Sequence, residues 1–147
     1  MNVTRTLEAL GHGATLLRSG AQHVRNAEEA AFKAAGAALS GKGSIAALHR
    51  ANAERALNAG ARDASEGVRL VTSASSWIKN TEPLDLATAD ATARIDEALE
   101  QVRRGGPNDL IAWGGGSDGP EWFASWTGAP RSLDLAAGIA DAYRALA

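Results

Sequence analysis

The stretch GAALSGKGS, residues 36–44, decides how the chain is folded. Two readings compete for it. As a phosphate-binding loop, GxxxxGK[ST], it places Gly36, Gly41 and Lys42 correctly, but Gly43 stands where a magnesium-binding hydroxyl is required. The context also fails. A phosphate loop hangs between a buried strand and a helix, whereas the residues before Gly36, AEEAAFKAA, are alanine-rich and lack any β-branched run. As a corner between two helices, the same residues fit throughout. Gly41 supplies a left-handed C-terminal position, Ser44 caps the following helix, and the four-residue break Ser40–Gly43 suits an antiparallel helical hairpin.

Working outward from this elbow, the first arm carries a seam through Val3, Leu7, Leu10, Ala14, Leu17, Ala21, Val24, Glu28, Ala31, Ala35 and Ala38. Its steps of four and three are those of a helix packed lengthwise against another, about 50 Å long if unbroken. Phe32 and Leu39 are expected to add flanking bulk. Glu28 is the polar intruder, and the spacing predicts an ion pair from it to Arg50 or Arg55 that sets the hairpin register. The second arm runs from about Ile45 to Lys79, with a seam at Leu57, Ala61, Ala64, Val68, Val71, Ser75 and Ile78 and with Ile45, Leu48, Gly67 and Leu70 beside it. Gly60 and Gly67, costly inside a helix, mark close approach or local flexibility.

A third helix is expected after Pro83, with a stripe at Thr88, Thr92, Ile95, Leu99 and Val102, ending at Arg104 before Gly105, Gly106 and Pro107. Beyond it, LIAWGGGSDGPEWFASWTGAP holds Trp113, Trp122, Phe123 and Trp126. A short helix from Asp118 or Pro120 would set Trp122 and Trp126 on one face. These aromatics either pack onto the alanine-rich bundle or insert into an apolar partner. Ser132 is the expected cap of a terminal helix carrying Leu135, Ile139, Tyr143 and Leu146. The expectation is therefore an all-α chain: a helical hairpin or bundle over residues 1–104, a Gly/Pro/Trp-rich connecting segment over 105–131 and a C-terminal helix over 132–147.

Composition limits the function. Of 147 residues, 33 are alanine and 15 leucine, so close packing with a thin core is expected. Residues 1–80 carry ten Lys/Arg against six Asp/Glu, and residues 81–147 carry five against eleven. A chain divided in this way can fold its acidic part onto its basic part or show two faces to different partners. The basic residues are spread along helices with no aromatic-basic platform, which argues against nucleic-acid binding. Cysteine is absent, so there are no disulfides or thiolate metal sites. The amino terminus lacks the pattern of a signal peptide and no apolar run reaches the length of a bilayer span, so a cytoplasmic chain without a transmembrane segment is expected.

No catalytic or cofactor signature emerges. His12 and His23 share a face but lie about 16 Å apart, and His49 adds no HxxxH or carboxylate-histidine spacing, so no metal site is assigned. The carboxylates Glu28, Glu29, Asp96, Glu97 and Glu100 alternate around helix faces, where solvation is expected instead of acid-base work. Trp113–Gly115 matches the WxG turn of small type VII secretion hairpins, but that turn forms the bend of its family's hairpin and the bend here is SGKGS.

The alanine-rich AEEAAFKAAGAAL, the small-residue break and SIAALHRANAERALNAGARDASEGVRL together resemble the phasins, the small helical proteins that coat polyhydroxyalkanoate granules. The likeness spans residues 14 to about 80 and is one of composition and rhythm. It implies a non-enzymatic amphipathic coat protein, without cofactor, that lies on a hydrophobic polymer or lipid-like surface and associates with itself as a homo-oligomer. Leu10, Leu17, Val68, Val71, Trp113, Trp122, Phe123 and Trp126 are the candidate contacts. The other function considered is a structural or assembly subunit, such as a phage particle component or a secretion-associated hairpin, suited by the opposite charges of the two halves.

Overall fold

Alanine and leucine are the strongest helix formers, and every described residue apart from the corners is helical. A computed structural model describes residues 3–80, 86–105 and 129–146. Its helices are α1 (Val3–Leu39), α2 (Gly43–Lys79), α3 (Leu86–Gly105) and α4 (Ala129–Leu146). The protein is all-α, with α1 and α2 forming a long antiparallel hairpin.

The elbow closes as its glycine demands. Gly41 takes φ +74°, the only positive φ among the described residues. Lys42 N–H then donates to Ala37 O at 2.9 Å and Gly41 N–H to Ala38 O at 3.1 Å. This reciprocal pair is a Schellman motif, which satisfies carbonyls that the end of α1 would otherwise leave open. The expected Ser44 cap is not used. Helix α2 already starts at Gly43, and its cap residue, Lys42, makes no side-chain capping bond.

The hairpin seam lies to one side of the one that the apolar spacing marks. A Cβ on Gly60 would sit 3.1 Å from the carbonyl oxygen of Gly20, and one on Gly20 3.1 Å from that of Gly60. Likewise a Cβ on Gly67 would sit 3.0 Å from Gly13 O and 2.9 Å from Leu17 Cγ. The two glycine pairs are seven residues apart on both helices, and paired residue numbers sum to 80. The same register sets Thr6 opposite Ala74, Ala27 opposite Ala53 and Ala34 opposite Ala46, all buried. A heptad ladder of small residues thus brings the two backbones together, confirming close approach at Gly60 and Gly67.

Leu10, Ala14, Leu17 and Ala21 are buried as the spacing predicts, but they share one core with Leu133, Ala136, Ala137 and Ala140 of α4 as well as Val71, Ala74 and Ile78 of α2 and Ile95 and Leu99 of α3. Their continuation is not buried: Ala35 and Ala38 are exposed. Helix α4 explains this. Arg144 lies against Gly11, Arg18 pairs with Asp141 at 2.5 Å and Arg25 pairs with Asp134. Helix α4 therefore runs antiparallel to α1 and begins at Ala129, about one turn beyond Arg25 and short of the elbow. It starts three residues before the expected cap, and Ser132 lies inside it.

The charge division is used within the chain. Besides the two α1–α4 pairs, Asp96 of α3 accepts from Lys79 Nζ at 2.5 Å and from the buried Ser75 hydroxyl at 2.9 Å. The acidic part folds onto the basic part.

Candidate interaction surface

A residue that contacts an external apolar surface must first be outside the protein's own core. Leu10, Leu17 and Val71 are fully buried, and Val68 is half-buried against the core. None of the four is available, which corrects their expected role: the face they occupy is the one that α3 and α4 cover. Trp113, Trp122, Phe123 and Trp126 lie outside the described residues.

Four of the six large apolar side chains exposed among the described residues stand toward the elbow, the other two being Val3 at the start of α1 and Leu135 on α4. Phe32 is 82% exposed, Leu39 91%, Leu48 58% and Ile45 45%. Phe32 and Leu39 do not flank the seam, nor do Ile45 and Leu48 pack beside theirs. Phe32 stands two residues before the seam residue Ala34 and Leu48 two residues after Ala46, so each is turned about 200° from its own seam. The outer edges of both arms are therefore apolar. The sequence signal was the seven-residue spacing of Phe32 and Leu39, off the 4-3 series that alanines continue.

The register is not set by Glu28. It is half-buried, and no ion pair joins it to Arg50 or Arg55 among the described residues; Arg55 instead donates to Asn52 Oδ1. The glycine ladder performs that task, by geometry and not by charge.

Three catalytic residue types do meet at the Gly20–Gly60 crossing. Ser19 Oγ donates to Asp63 Oδ2 at 2.6 Å, and His23 Nε2 lies 3.5 Å from the same oxygen. The carboxylate stands between the other two, so the Ser19 hydroxyl donates its hydrogen bond to Asp63 and does not face an imidazole base. The arrangement ties α1 to α2. His12 is exposed and His49 half-buried, and no group of three metal-ligating side chains is found among the described residues.

Between α3 and α4 an open groove of about 510 Å³ is lined by Asp90, Ala93, Arg94, Glu97, Leu135 and Ile139. Arg94 is already paired with Asp90 at 2.9 Å, both side chains largely in water. On α2, the Arg69 guanidinium hydrogen-bonded to Glu66 holds that carboxyl below its ordinary range, and the carboxylate raises Arg69 in return. Both are surface groups, screened by solvent.

No helix among the described residues is long and apolar enough to cross a membrane. Comparison with known proteins gives no match to a family model, to a curated protein or to a solved structure.

Proposed function

We propose that the chain is a non-enzymatic coat protein, phasin-like in role, that binds the surface of an apolar storage granule in the cytoplasm through the elbow half of its hairpin. One observation carries this reading: four large apolar side chains, Phe32, Leu39, Ile45 and Leu48, stand in solvent within seventeen residues of chain. Large apolar side chains displayed on the outer edges of both arms suit contact with an apolar phase or a partner. The small-residue ladder supports it by making a slender two-helix arm whose outer edges are free. The far half, sealed by α3 and α4, holds the fold while the arm lies on the surface.

The test is co-sedimentation with polyhydroxybutyrate particles. Binding is expected from the natural chain and is expected to fall roughly tenfold in Ile45→Ser/Leu48→Ser, a loss of one to two large apolar contacts. A chain that stays in the supernatant removes the proposal. The alternative of an assembly subunit drew on the opposite charges of the two halves, and Arg18, Arg25 and Lys79 already meet their carboxylates within the chain.

A further inference from the structure

The outer edge of α2 is basic. Leu48, Arg55, Arg62, Arg69 and Ser76 recur every seven residues, about 10 Å apart, and all five are exposed. Each stands two residues after a member of the small-residue ladder, so the line points away from α1. The four arginines of α2, these three and Arg50, are exposed, whereas its three carboxylates, Glu54, Asp63 and Glu66, are partly covered and lie off the line. Asp63 is turned to Ser19 and His23, and Glu66 holds Arg69. Arg55 donates to the neutral amide of Asn52, and Arg62 meets no polar partner among the described residues. Positive charge is thus left over along this edge, and the line ends toward the elbow in Leu48, with Ile45 about one turn before it.

We propose that this edge lies on an acidic phospholipid surface, with Ile45 and Leu48 entering the apolar layer and Arg55 and Arg62 over the headgroup phosphates. The inference rests on the coat reading's use of Ile45 and Leu48 as surface contacts and adds the charge of the surface they enter. Charge complementarity selects the occupant. A neutral polymer offers the arginines no counter-charge. A nucleic acid holds its phosphates along a groove and is met by gathered cations or interleaved aromatic side chains, neither of which the line has. Headgroups in a fluid layer move sideways, so arginines one heptad apart can each gather a phosphate, and beneath those headgroups lies the apolar layer that Ile45 and Leu48 require. The chain's net charge of −2 gives no general attraction to such a surface, so binding depends on the line.

Flotation with vesicles of phosphatidylglycerol and phosphatidylcholine, against vesicles of phosphatidylcholine alone, reads the charge of the surface. The natural chain is expected to bind the acidic vesicles at least about tenfold more tightly and to be released as salt rises to about 0.5 M. Each cation near such a surface contributes roughly fivefold, so Arg55→Gln/Arg62→Gln is expected to lose about thirtyfold. Lys33→Gln/Arg94→Gln removes the same net charge from exposed, already paired side chains of α1 and α3, and is expected to bind within about twofold of the natural chain. Unchanged far-ultraviolet circular dichroism shows that the variants remain folded.

Equal flotation with both kinds of vesicle, flotation with neither, or equal losses from the two double variants overturns the proposal. Equally tight binding of a duplex oligonucleotide does so too. Polymer particles separate this inference from the coat reading, since Arg55→Gln/Arg62→Gln is expected to keep binding them while losing the acidic vesicles. A chain that sediments with the particles but ignores acidic vesicles overturns this inference alone; one that floats with acidic vesicles but ignores the particles overturns the granule alone.

Discussion

Between about Leu10 and Val24, α1 lies under α4, and Leu10, Ala14, Leu17 and Ala21 are sealed; between Ala31 and Leu39 the same face meets solvent at Ala35 and Ala38. Both regions pair with α2 through the same ladder of small residues. The difference lies in what surrounds the pair. Away from the elbow, large side chains from four helices share a core; beyond Val24 and Leu57 toward the elbow, the buried apolar groups of α1 and α2 are Ala27, Ala34, Ala46 and Ala53. Alanine removes little area from water, so the elbow half adds reach and surface more than stability. One fold thus contains an anchored half and a displayed half.

The contrast is sharpest for two large side chains on the same helix. Leu17→Ala, in the sealed half, is expected to destabilise by about 2–5 kcal/mol, whereas Phe32→Ala changes stability by less than about 0.5 kcal/mol. Urea denaturation of both variants decides it, and equal losses would mean that Phe32 is packed. Two glycines give the next comparison. Gly67→Ala forces a Cβ against Leu17 and Gly13 O and should cost about 1–3 kcal/mol, despite the better helix propensity of alanine. Gly36→Ala, with open space around it, should gain about 0.5–1 kcal/mol. Opposite signs in thermal melts support the ladder, and a gain at both positions would break it.

Ser65 offers a smaller test within the anchored half. Its hydroxyl is buried without a hydrogen-bond partner among the described residues. Ser65→Ala is accordingly expected to raise stability by about 1 kcal/mol, and a loss would reveal a bond that the hydroxyl makes. The smallest effect concerns the boundary between the halves. A double-mutant cycle of Arg25→Ala and Asp134→Ala should give a coupling of about 0.2–1 kcal/mol that fades in high salt, since both side chains are about two-fifths exposed. Zero coupling at low salt would dissociate the start of α4 from α1.

Much of the hairpin is legible in residues. Gly41 between two alanine-rich arms announces the elbow, and the 4-3 spacing of Leu10, Leu17, Leu57, Val71 and Ile78 marks side chains that are buried. The spacing does not say which neighbour covers them. A helix in a bundle buries two adjoining faces, and apolar counting finds the one with leucines while passing over the one with Gly13, Gly20, Gly60 and Gly67. Gly60 and Gly67 mark a close approach in the sequence, but Gly20 and Gly13 as what they approach appear only when the second backbone is placed against them. Alanine is silent, since it is common both inside and outside proteins. Ala35 and Ala38 therefore continue a seam on paper that α4 does not reach in space. The candidate surface was missed for the same reason: Leu10, Leu17, Val68 and Val71 look like an amphipathic face when α3 and α4 are not yet in position.

Local chemistry by itself determined the helices, their corner at Gly41 and the matching of an acidic part to a basic one, because propensity, left-handed backbone and net charge are properties of short stretches. Tertiary structure alone decided that glycines set the hairpin's register and that α4 stops short of the elbow. It thereby decided which leucines are sealed and which remain in water. Burial depends on what lies alongside a side chain, and for the leucines of α1 that includes α4, whose residues stand more than a hundred positions further along the chain.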